Sequence, residues 1–259
     1  MFELAAYLWA LAMIALAALI TWLVSLAKKD VSIVDSLWSL MFIIAALSYA
    51  ATVTEPGPRT ALILALVCIW GVRLCAYITW RNWGEGEDRR YQEIRRNNSP
   101  NFAIKSLYIV FGLQGVLAWI ISLPLLAAIS GQSALGVLDI VGVLLWLVGI
   151  LFEAGGDYQL ARFKADPANK GKVMDRGFWR YTRHPNYFGD FCVWWGFFLI
   201  ALAAGGWWSI VSPLIMSVLL LKVSGAALLE KDIHERRPAY KDYIERTNTF
   251  FPGPPRQTS

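Results

Sequence analysis

A polar stretch, YTRHPNYFGDF at residues 181–191, stands just before the apolar run WWGFFLIALAA. It offers several side chains that donate or accept hydrogen bonds: Tyr181, Arg183, His184, Asn186, Tyr187 and Asp190. Side chains of these types bind phosphate, hydroxyl and amide groups. We therefore predict that this stretch binds a large polar cofactor at the point where the chain enters a membrane.

Two carboxylates in LFEAGGDYQLARFK form a second candidate cluster. Glu153 and Asp157 are four residues apart, so they share one face of a helix, and Lys164 continues that face. Gly155 and Gly156 leave room for a backbone or a ligand to approach closely. Two interpretations stay open, a solvated helix end and a face turned towards the cofactor. The apolar surroundings favour the second.

Asp35 and Arg73 interrupt segments that are otherwise apolar. Ionisable residues inside membrane spans are costly, and they indicate function by default. One interpretation is a buried ion pair that fixes the packing of the second and third helices. The other is that one or both residues face a substrate cavity. The two interpretations are compatible, and both stay open.

Most charges of the segment RNWGEGEDRRYQEIRR are predicted to face water or lipid headgroups. Arg89, Arg90 and Tyr91 are the exception, because arginine beside tyrosine can grip a phosphate and stack on a base. The C-terminal segment adds Glu230 and His234 within a run of acidic, basic and aromatic residues. We predict that both segments contribute to the cofactor site.

The elements that must position these residues are membrane helices. Of the 259 residues 57% are hydrophobic, and the mean hydropathy is +0.46, which is typical of an integral membrane protein. Seven segments are apolar and long enough to cross a hydrocarbon core of about 30 Å. They are residues 4–27, 31–53, 60–80, 102–129, 137–156, 187–204 and 207–228. The sequence predicts an all-α polytopic membrane protein with seven transmembrane helices in a single domain, residues 1–259.

The lysines and arginines outside the spans are strongly segregated. Arg59 alone lies on the side that holds the N-terminus, and the others lie in KKD, residues 81–105, residues 162–183 and the C-terminal tail. By the positive-inside rule the N-terminus is outside and the C-terminus is cytoplasmic. The net charge of +5 is then a matter of topology, and nucleic-acid binding is not expected.

Metal and disulfide chemistry are not expected either. The three cysteines all lie in predicted spans and have no CxxC spacing, and the two histidines form no HExxH pattern. We predict no bound metal and no required protein partner. The expected partners are membrane lipid and a lipophilic small molecule that enters from the bilayer.

The segment RGFWRYTRHPNYFGDFCVWWGF resembles the steroid 5α-reductase superfamily of membrane enzymes, and most closely its bacterial-type branch with the pattern GxWxxTRHPNYFGD. EAGGDYQLARFK, FGLQG and RPAYKDYIERTNTFFP fall in the order and spacing of that family. The resemblance covers most of the chain from about Asp35 onward. Sterol reductases and isoprenylcysteine carboxyl methyltransferases share a similar RHPxYxG segment, so the motif does not fix one reaction.

The resemblance implies seven helices, an NADPH site on the cytoplasmic side and a bacterial inner-membrane location. It also implies reduction of an activated carbon–carbon double bond, with the 4-ene of a 3-oxo-steroid as the usual substrate. By position it assigns cofactor-binding roles in addition to those predicted above. These concern Asn186, Asp190, Asp157, Lys164, Tyr91 and one of Arg89 and Arg90.

Asp35 falls at the position of the family's catalytic glutamate in helix two. The sequence departs from the family pattern at three places. Trp70 stands where a tyrosine partners the acid, Val34 where a glutamine is common, and Glu153 where the family has asparagine. These departures affect the substrate more than the cofactor.

Such a reaction transfers hydride to the β-carbon of an enone, and negative charge develops on the carbonyl oxygen. A carboxyl group buried in a bundle can stay protonated and donate a hydrogen bond there. We predict Asp35 as the proton donor, provided that Arg73 does not neutralise it, with Tyr77 as a helper. The substrate-binding residues are predicted to be Trp38, Trp70, Arg73 and Gln114.

An alternative is a methyltransferase that uses S-adenosylmethionine on a lipid or a prenylated cysteine. It would need the same polar pocket, a smaller cofactor and no acid in the second helix. The intramembrane Asp35 and the paired arginines of DRRY favour the larger, phosphate-bearing cofactor.

Overall fold

The computed structural model describes residues 2–223 and 240–256, and within these ranges it contains helices and loops but no strand. Six helices of the described chain are long and apolar enough to cross a membrane. They are α1 (Leu4–Lys28), α2 (Val31–Thr52), α3 (Thr60–Asn82), α5 (Phe102–Ser130), α6 (Val137–Ala165) and α7 (Pro185–Ala203). A polar helix, α4 (Arg89–Asn97), follows α3. The chain is therefore an all-helical integral membrane protein.

Six of the predicted spans correspond to these six helices. Where the seventh was predicted, at residues 207–228, the structure has a shorter apolar helix, α8 (Trp207–Lys222). The end of that predicted span lies outside the described residues. The C-terminal segment contains one further described helix, α9 (Tyr240–Arg246). Helix α6 extends well past residue 156, so Asp157 and Lys164 are both helical.

The chain divides into two compact units. The first comprises Met1–Leu135 and Ala201–Ser209, and the second comprises Gly136–Ile200 and Ile210–Ser259. The first unit contains α1 to α5 and the end of α7. The second contains α6, α9 and most of α7 and α8. Asp35 and Arg73 lie in the first unit, whereas Glu153, Asp157 and residues 181–191 all lie in the second.

Helix α2 is the central element of the first unit, where it packs against α1, α3 and α5. Small side chains on its buried faces let the neighbouring helices approach. Gly71 of α3 lies against it, and a Cβ there would stand 3.1 Å from the backbone oxygen of Ser39. The Ser39 hydroxyl donates a hydrogen bond of 2.8 Å to the Gly71 carbonyl. The central position of α2 keeps the residues of its first turns, including Asp35, inside the protein.

In the second unit, α6 and α7 meet along a row of glycines. Gly142, Gly149 and Gly156 are seven residues apart and share one face of α6. A Cβ on Gly149 would lie 2.6 Å from the carbonyl oxygen of Gly189, and one on Gly196 would lie 2.7 Å from that of Gly142. Backbone therefore touches backbone along this seam, as in close-packed membrane helices. The seam fixes α6 and α7 at short range and sets the spacing of the polar residues beside it.

Candidate functional site

The first candidate site is centred on Asp35. It lies in the first turn of the α-helical part of α2, and its side chain is 16% exposed. The preceding turn is fixed by Asp30, whose carboxylate accepts a hydrogen bond of 2.8 Å from the Ser32 amide. Such capping sets the direction in which a helix begins. Asp35 is thus an acidic group held at a defined place inside a membrane-spanning helix.

Two neighbouring residues of α4 bind the Asp35 carboxylate. Arg90 donates from Nη2 to Oδ2 at 2.8 Å, and the Tyr91 hydroxyl donates to Oδ1 at 2.5 Å. Asp88 caps α4, because its carboxylate accepts from the Arg90 amide at 2.9 Å and from Arg90 Nε at 3.0 Å. The Arg90 guanidinium is therefore held between two carboxylates. We call Asp35, Asp88, Arg90, Tyr91 and Gln114 the Asp35 cluster.

Gln114 of α5 completes this cluster, since its Nε2 donates a hydrogen bond of 3.0 Å to the Tyr91 oxygen. It stands two residues after a π-helical segment, Leu107–Gly112. A π-turn adds a residue to the helical repeat and rotates the turns after it, and such turns are frequent at functional sites. This irregularity of α5 therefore sets the direction in which Gln114 projects.

Burial and mutual contact set the charges of the residues from α4 and its cap. Burial and the Asp35 carboxylate raise the pKa of Tyr91, so its phenol stays protonated and donates. Burial opposes the charge of Arg90, but the carboxylates of Asp35 and Asp88 raise its pKa above the usual value. Burial likewise raises the pKa of Asp88, yet the hydrogen bonds from Arg90 outweigh it and lower the pKa. At neutral pH these residues supply one guanidinium, one carboxylate and one neutral phenol.

The structure corrects the expected partner of Asp35. The guanidinium that binds it is that of Arg90 and not that of Arg73. Arg73 lies over the ring of Tyr77, 5.5 Å from its centroid. The hydroxyl that reaches Asp35 is that of Tyr91, whereas Tyr77 was predicted as its helper. Helix positions alone could not show this, because the partners come from a loop helix that folds back onto α2.

The three residues predicted to bind phosphate, Arg89, Arg90 and Tyr91, have different surroundings. Arg90 and Tyr91 donate hydrogen bonds to Asp35, and their expected role as phosphate and ribose contacts stays a prediction. Arg89 is exposed on α4. The Arg90 side chain is itself 38% exposed, so both guanidinium groups are accessible, although that of Arg90 is bound to carboxylates.

Trp38 and Trp70 belong to an aromatic row beside the Asp35 cluster. Phe42 makes edge-to-face contacts with both, with centroid distances of 5.2 Å to Trp38 and 5.7 Å to Trp70. Trp70 is fully buried, so it is packed as a core residue. Trp38 is half-buried. Of the two predicted substrate contacts, Trp38 is therefore the more accessible.

The second candidate site lies in the second unit and joins α6 to α7. Glu153 and Asp157 are each 3% exposed, which excludes the solvated helix end that the sequence left open. Asn186 donates from Nδ2 to Oδ1 of Asp157 at 3.2 Å, and its own Oδ1 accepts from the Tyr187 amide at 3.1 Å. Asp190, one turn further along α7, is also buried. We call Glu153, Asp157, Asn186 and Asp190 the Asp157 cluster.

The two glycines beside this cluster have different neighbours. A Cβ on Gly156 would lie 3.0 Å from the Pro185 ring, so the start of α7 packs directly on α6 there. A Cβ on Gly155 would lie 2.4 Å from the Phe178 ring. The room expected at Gly155 is thus occupied by an aromatic side chain of the preceding loop.

Arg183 has a structural role that the sequence did not predict. Its Nη1 donates to the carbonyls of Thr247 at 2.6 Å and Ile244 at 2.9 Å, and its Nη2 donates to the Thr249 hydroxyl at 2.7 Å. The neighbouring Thr182 hydroxyl donates to the Phe250 carbonyl at 2.8 Å. These bonds hold the C-terminal segment against the start of α7. The guanidinium thus has a structural use, and its predicted cofactor contact stays a prediction.

The remaining residues predicted for the cofactor differ in their exposure. His184 is buried and stacks on Tyr187 with ring centroids 5.6 Å apart. Tyr181 is exposed, and its carbonyl accepts a hydrogen bond of 3.0 Å from the Gly253 amide. Lys164 is exposed near the end of α6 and lines a cavity of about 250 Å³ formed with the loop after that helix. Glu230 and His234 lie outside the described residues.

Sequence reasoning missed Asp88 and Glu87, which were taken as solvated loop charges. Glu87 is only 10% exposed on its side chain and binds Arg95 through two hydrogen bonds of 2.7 and 2.9 Å. The signal was available for Asp88, because an aspartate just before a polar helical run is a common N-cap. For Glu87 no local pattern indicated burial.

One protein family matches the chain, over residues 21–247, and its description is a protein of unknown function, DUF1295. An uncharacterized protein of Schizosaccharomyces pombe is 25% identical over 264 aligned residues, which cover 90% of this chain and 76% of that protein. No solved structure matches the chain. The chemistry of the two clusters is therefore the main indication of function.

Proposed function

The chain belongs to the DUF1295 family of proteins of unknown function, and we propose that it is a membrane-embedded reductase dependent on NADPH. Its substrate is a lipophilic enone, with a 3-oxo-4-ene steroid as the first compound to test. The observation that carries this proposal is the hydrogen bond of 2.5 Å from Tyr91 to Asp35 at the start of a membrane-spanning helix. The resemblance of residues 177–190 to the steroid 5α-reductase superfamily supports the reaction type.

The Asp35 cluster supplies the acid for this reaction. Asp35 accepts hydrogen bonds from both Arg90 and Tyr91, so it is poised as an acceptor, and the group able to donate is Tyr91. The phenol carries one proton, which must turn from Asp35 to the substrate carbonyl. When the phenol turns, Arg90 still donates its hydrogen bond to the Asp35 carboxylate, so that the carboxylate keeps a partner. A donor aimed at the developing oxyanion typically contributes a factor of about 10² to 10³ in rate.

The Asp157 cluster fits the polar groups of a nicotinamide cofactor. When bound, NADPH supplies the hydride that adds to the β-carbon, and a proton from the surroundings completes the α-carbon. The amide of Asn186 and the buried carboxylates of Glu153, Asp157 and Asp190 match carboxamide and ribose hydroxyl groups in hydrogen-bonding type. Lys164 and Arg89 are exposed cations suited to phosphate. Arg183, by contrast, holds the C-terminal segment.

The proposal includes the topology expected from the sequence. It keeps the predicted seventh span at residues 207–228, whose described part is the apolar helix Trp207–Lys222. The N-terminus lies outside, and the charged loops and the C-terminus lie in the cytoplasm of a bacterial cell, with the protein in the inner membrane. The segregation of lysine and arginine supports this orientation.

The test uses the purified full-length protein in detergent with NADPH and a 3-oxo-4-ene steroid. We expect oxidation of NADPH, followed by its absorbance, together with a product that carries two additional hydrogens by mass spectrometry. The matched control is the corresponding 3-oxo steroid without the double bond, which should give no oxidation. Mass spectrometry of the cofactor that co-purifies with the protein gives an independent readout. Transfer of a labelled methyl group from S-adenosylmethionine without oxidation of NADPH would overturn the proposal in favour of a methyltransferase.

A further inference from the structure

A cavity in the first unit is lined by none of the side chains of the Asp35 cluster. Its volume is about 350 Å³, which falls in the range of small-molecule sites. It lies where α1 ends and α5 begins. Its lining includes Ser25, Leu26 and Lys29 from the end of α1, Arg95 from α4, and Ala103 and Ser106 from α5.

Two cations, Lys29 and Arg95, line the cavity. Arg95 uses Nε and Nη2 on Glu87, at 2.9 and 2.7 Å, which leaves Nη1 for another acceptor. Its guanidinium also lies 4.6 Å from the centroid of the Phe102 ring, which fixes its plane. Lys29 is exposed, and its ammonium group makes no hydrogen bond or ion pair within the described chain. Glu87 neutralises part of this charge, and the Asp30 carboxylate also acts on Arg95 electrostatically. The groups able to bind an anion are the Nη1 edge of Arg95 and the Lys29 ammonium.

The backbone at the end of α1 does not oppose an anion here. A helix C-terminus ordinarily presents unpaired carbonyls, which repel negative charge. At this end, the Asp30 amide donates to the Ser25 carbonyl at 3.1 Å and the Lys29 amide donates to the Leu26 carbonyl at 3.4 Å. These bonds are possible because Lys29 adopts a left-handed conformation with φ of 54°. The carbonyls nearest the cavity are thus already occupied.

An apolar surface continues from the cavity along the spans. Leu19, Leu23 and Val24 of α1 are 41%, 53% and 43% exposed, and Ile104 of α5 is 66% exposed. Leu23, Leu26 and Lys29 are three residues apart, so they follow one face of the helix end. Ligands with a charged phosphate and a long acyl chain match a cavity with cations that lies beside an apolar surface. Basic pockets between membrane helices commonly bind such headgroups.

We propose that the cavity between α1 and α5 is a binding site for a phosphate anion, carried by the headgroup of an anionic phospholipid. Lys29 and the free edge of Arg95 contact the phosphate, and the acyl chain lies along Leu23 and Ile104. This site is independent of the reductase proposal, since it uses none of the residues of the two clusters.

The experiment measures melting temperature and retained lipid for the full-length protein in detergent. Phosphatidylglycerol should raise the melting temperature and remain bound in native mass spectrometry. Phosphatidylcholine should bind at least tenfold more weakly and stabilise the protein correspondingly less. The same measurements are made with glycerol 3-phosphate, which carries the phosphate without an acyl chain. If it stabilises the protein as phosphatidylglycerol does, the phosphate site is supported with a soluble source. If it has no effect, the lipid source is supported.

Lys29→Asn removes the charge while keeping a residue that tolerates the left-handed conformation. Lys28→Gln is the matched control, because Lys28 is the adjacent exposed lysine and does not line the cavity. We expect Lys29→Asn to weaken binding of phosphatidylglycerol about tenfold and Lys28→Gln to leave it unchanged. Ala103→Leu, which narrows the cavity without removing a charge, should weaken it as well. Equal effects of the two lysine variants, or equal stabilisation by both lipids, would overturn the site.

Discussion

The hydroxyl of Tyr91 and the carboxylate of Asp35 are 2.5 Å apart, although 56 residues separate them in the chain. The helix that carries Tyr91 is polar and short, and the helix that carries Asp35 spans the membrane. Their contact brings a proton donor from a loop into the apolar bundle. Arg90 binds the same carboxylate, so the donor and the countercharge enter together.

Replacing Tyr91 tests whether its hydroxyl is the acid. Tyr91→Phe should lower NADPH-dependent turnover on the order of a hundredfold, because one donor to the developing oxyanion is lost. The affinity for NADPH should stay unchanged. Tyr108→Phe is the matched control, since Tyr108 is 60% exposed on α5 and should keep full activity. Parallel loss of melting temperature and NADPH binding in Tyr91→Phe would instead indicate a purely structural role.

Asp35→Asn keeps the size of the side chain but removes its charge. Turnover should fall about as strongly as in Tyr91→Phe, because the amide holds neither Arg90 nor Tyr91 as the carboxylate does. NADPH binding should persist. The comparison adds Arg90→Met and the double variant, with melting temperature measured beside turnover. Recovery of both quantities in the double variant would show that Asp35 and Arg90 form only a structural ion pair.

Asn186→Ala and Asp190→Ala test the Asp157 cluster. Each should weaken NADPH binding by about tenfold or more, which is the scale of one lost hydrogen bond with a charged partner. Size-exclusion chromatography should show that both variants remain folded in detergent. Asn97→Ala, at an exposed position of α4, is the matched control. Unchanged affinity in both variants would mean that residues 181–191 serve packing alone.

Gly149→Ala tests the glycine seam between α6 and α7. The added Cβ would stand 2.6 Å from the Gly189 carbonyl oxygen, so the two backbones must separate. Overpacking of this kind costs about 1–3 kcal/mol, and we expect a lower melting temperature together with weaker NADPH binding. Gly136→Ala, before the start of α6, meets no atom within 4 Å and should change neither. Equal melting temperatures for the two variants would contradict the close approach.

Glu87 should make stability depend on acid pH. Burial raises its pKa, but the hydrogen bonds from Arg95 and from the Val31 amide outweigh it, so the pKa in the folded state is lowered. A carboxyl group whose pKa is lowered on folding stabilises the fold at pH values above its unfolded-state pKa of about 4.3. That contribution is lost as the pH falls through the folded-state pKa. Glu87→Gln should therefore lower the melting temperature at neutral pH, with the difference from the parent shrinking below about pH 4. Glu93→Gln, at an exposed position of α4, is the control and should follow the parent at every pH.

The sequence by itself determined the membrane-spanning helices. Long apolar segments must form helices in a bilayer, because every backbone group needs a partner within the chain. The acidic stripe of Glu153 and Asp157 was also readable, since a spacing of four residues places both on one helix face. Asp35 was recognised as unusual because charge is costly in such a segment.

Only the tertiary structure decided which groups Asp35 meets. Tyr91 and Arg90 reach it because α4 folds back onto α2, and no periodicity within α4 records that contact. The same holds for Arg183, whose type and position suggested a ligand, whereas its guanidinium binds carbonyls of the C-terminal segment. Sequence patterns report which face of a helix is apolar, because burial depends on local spacing. The pairing of polar side chains depends on which distant segments come together, and that is fixed by packing across the whole unit.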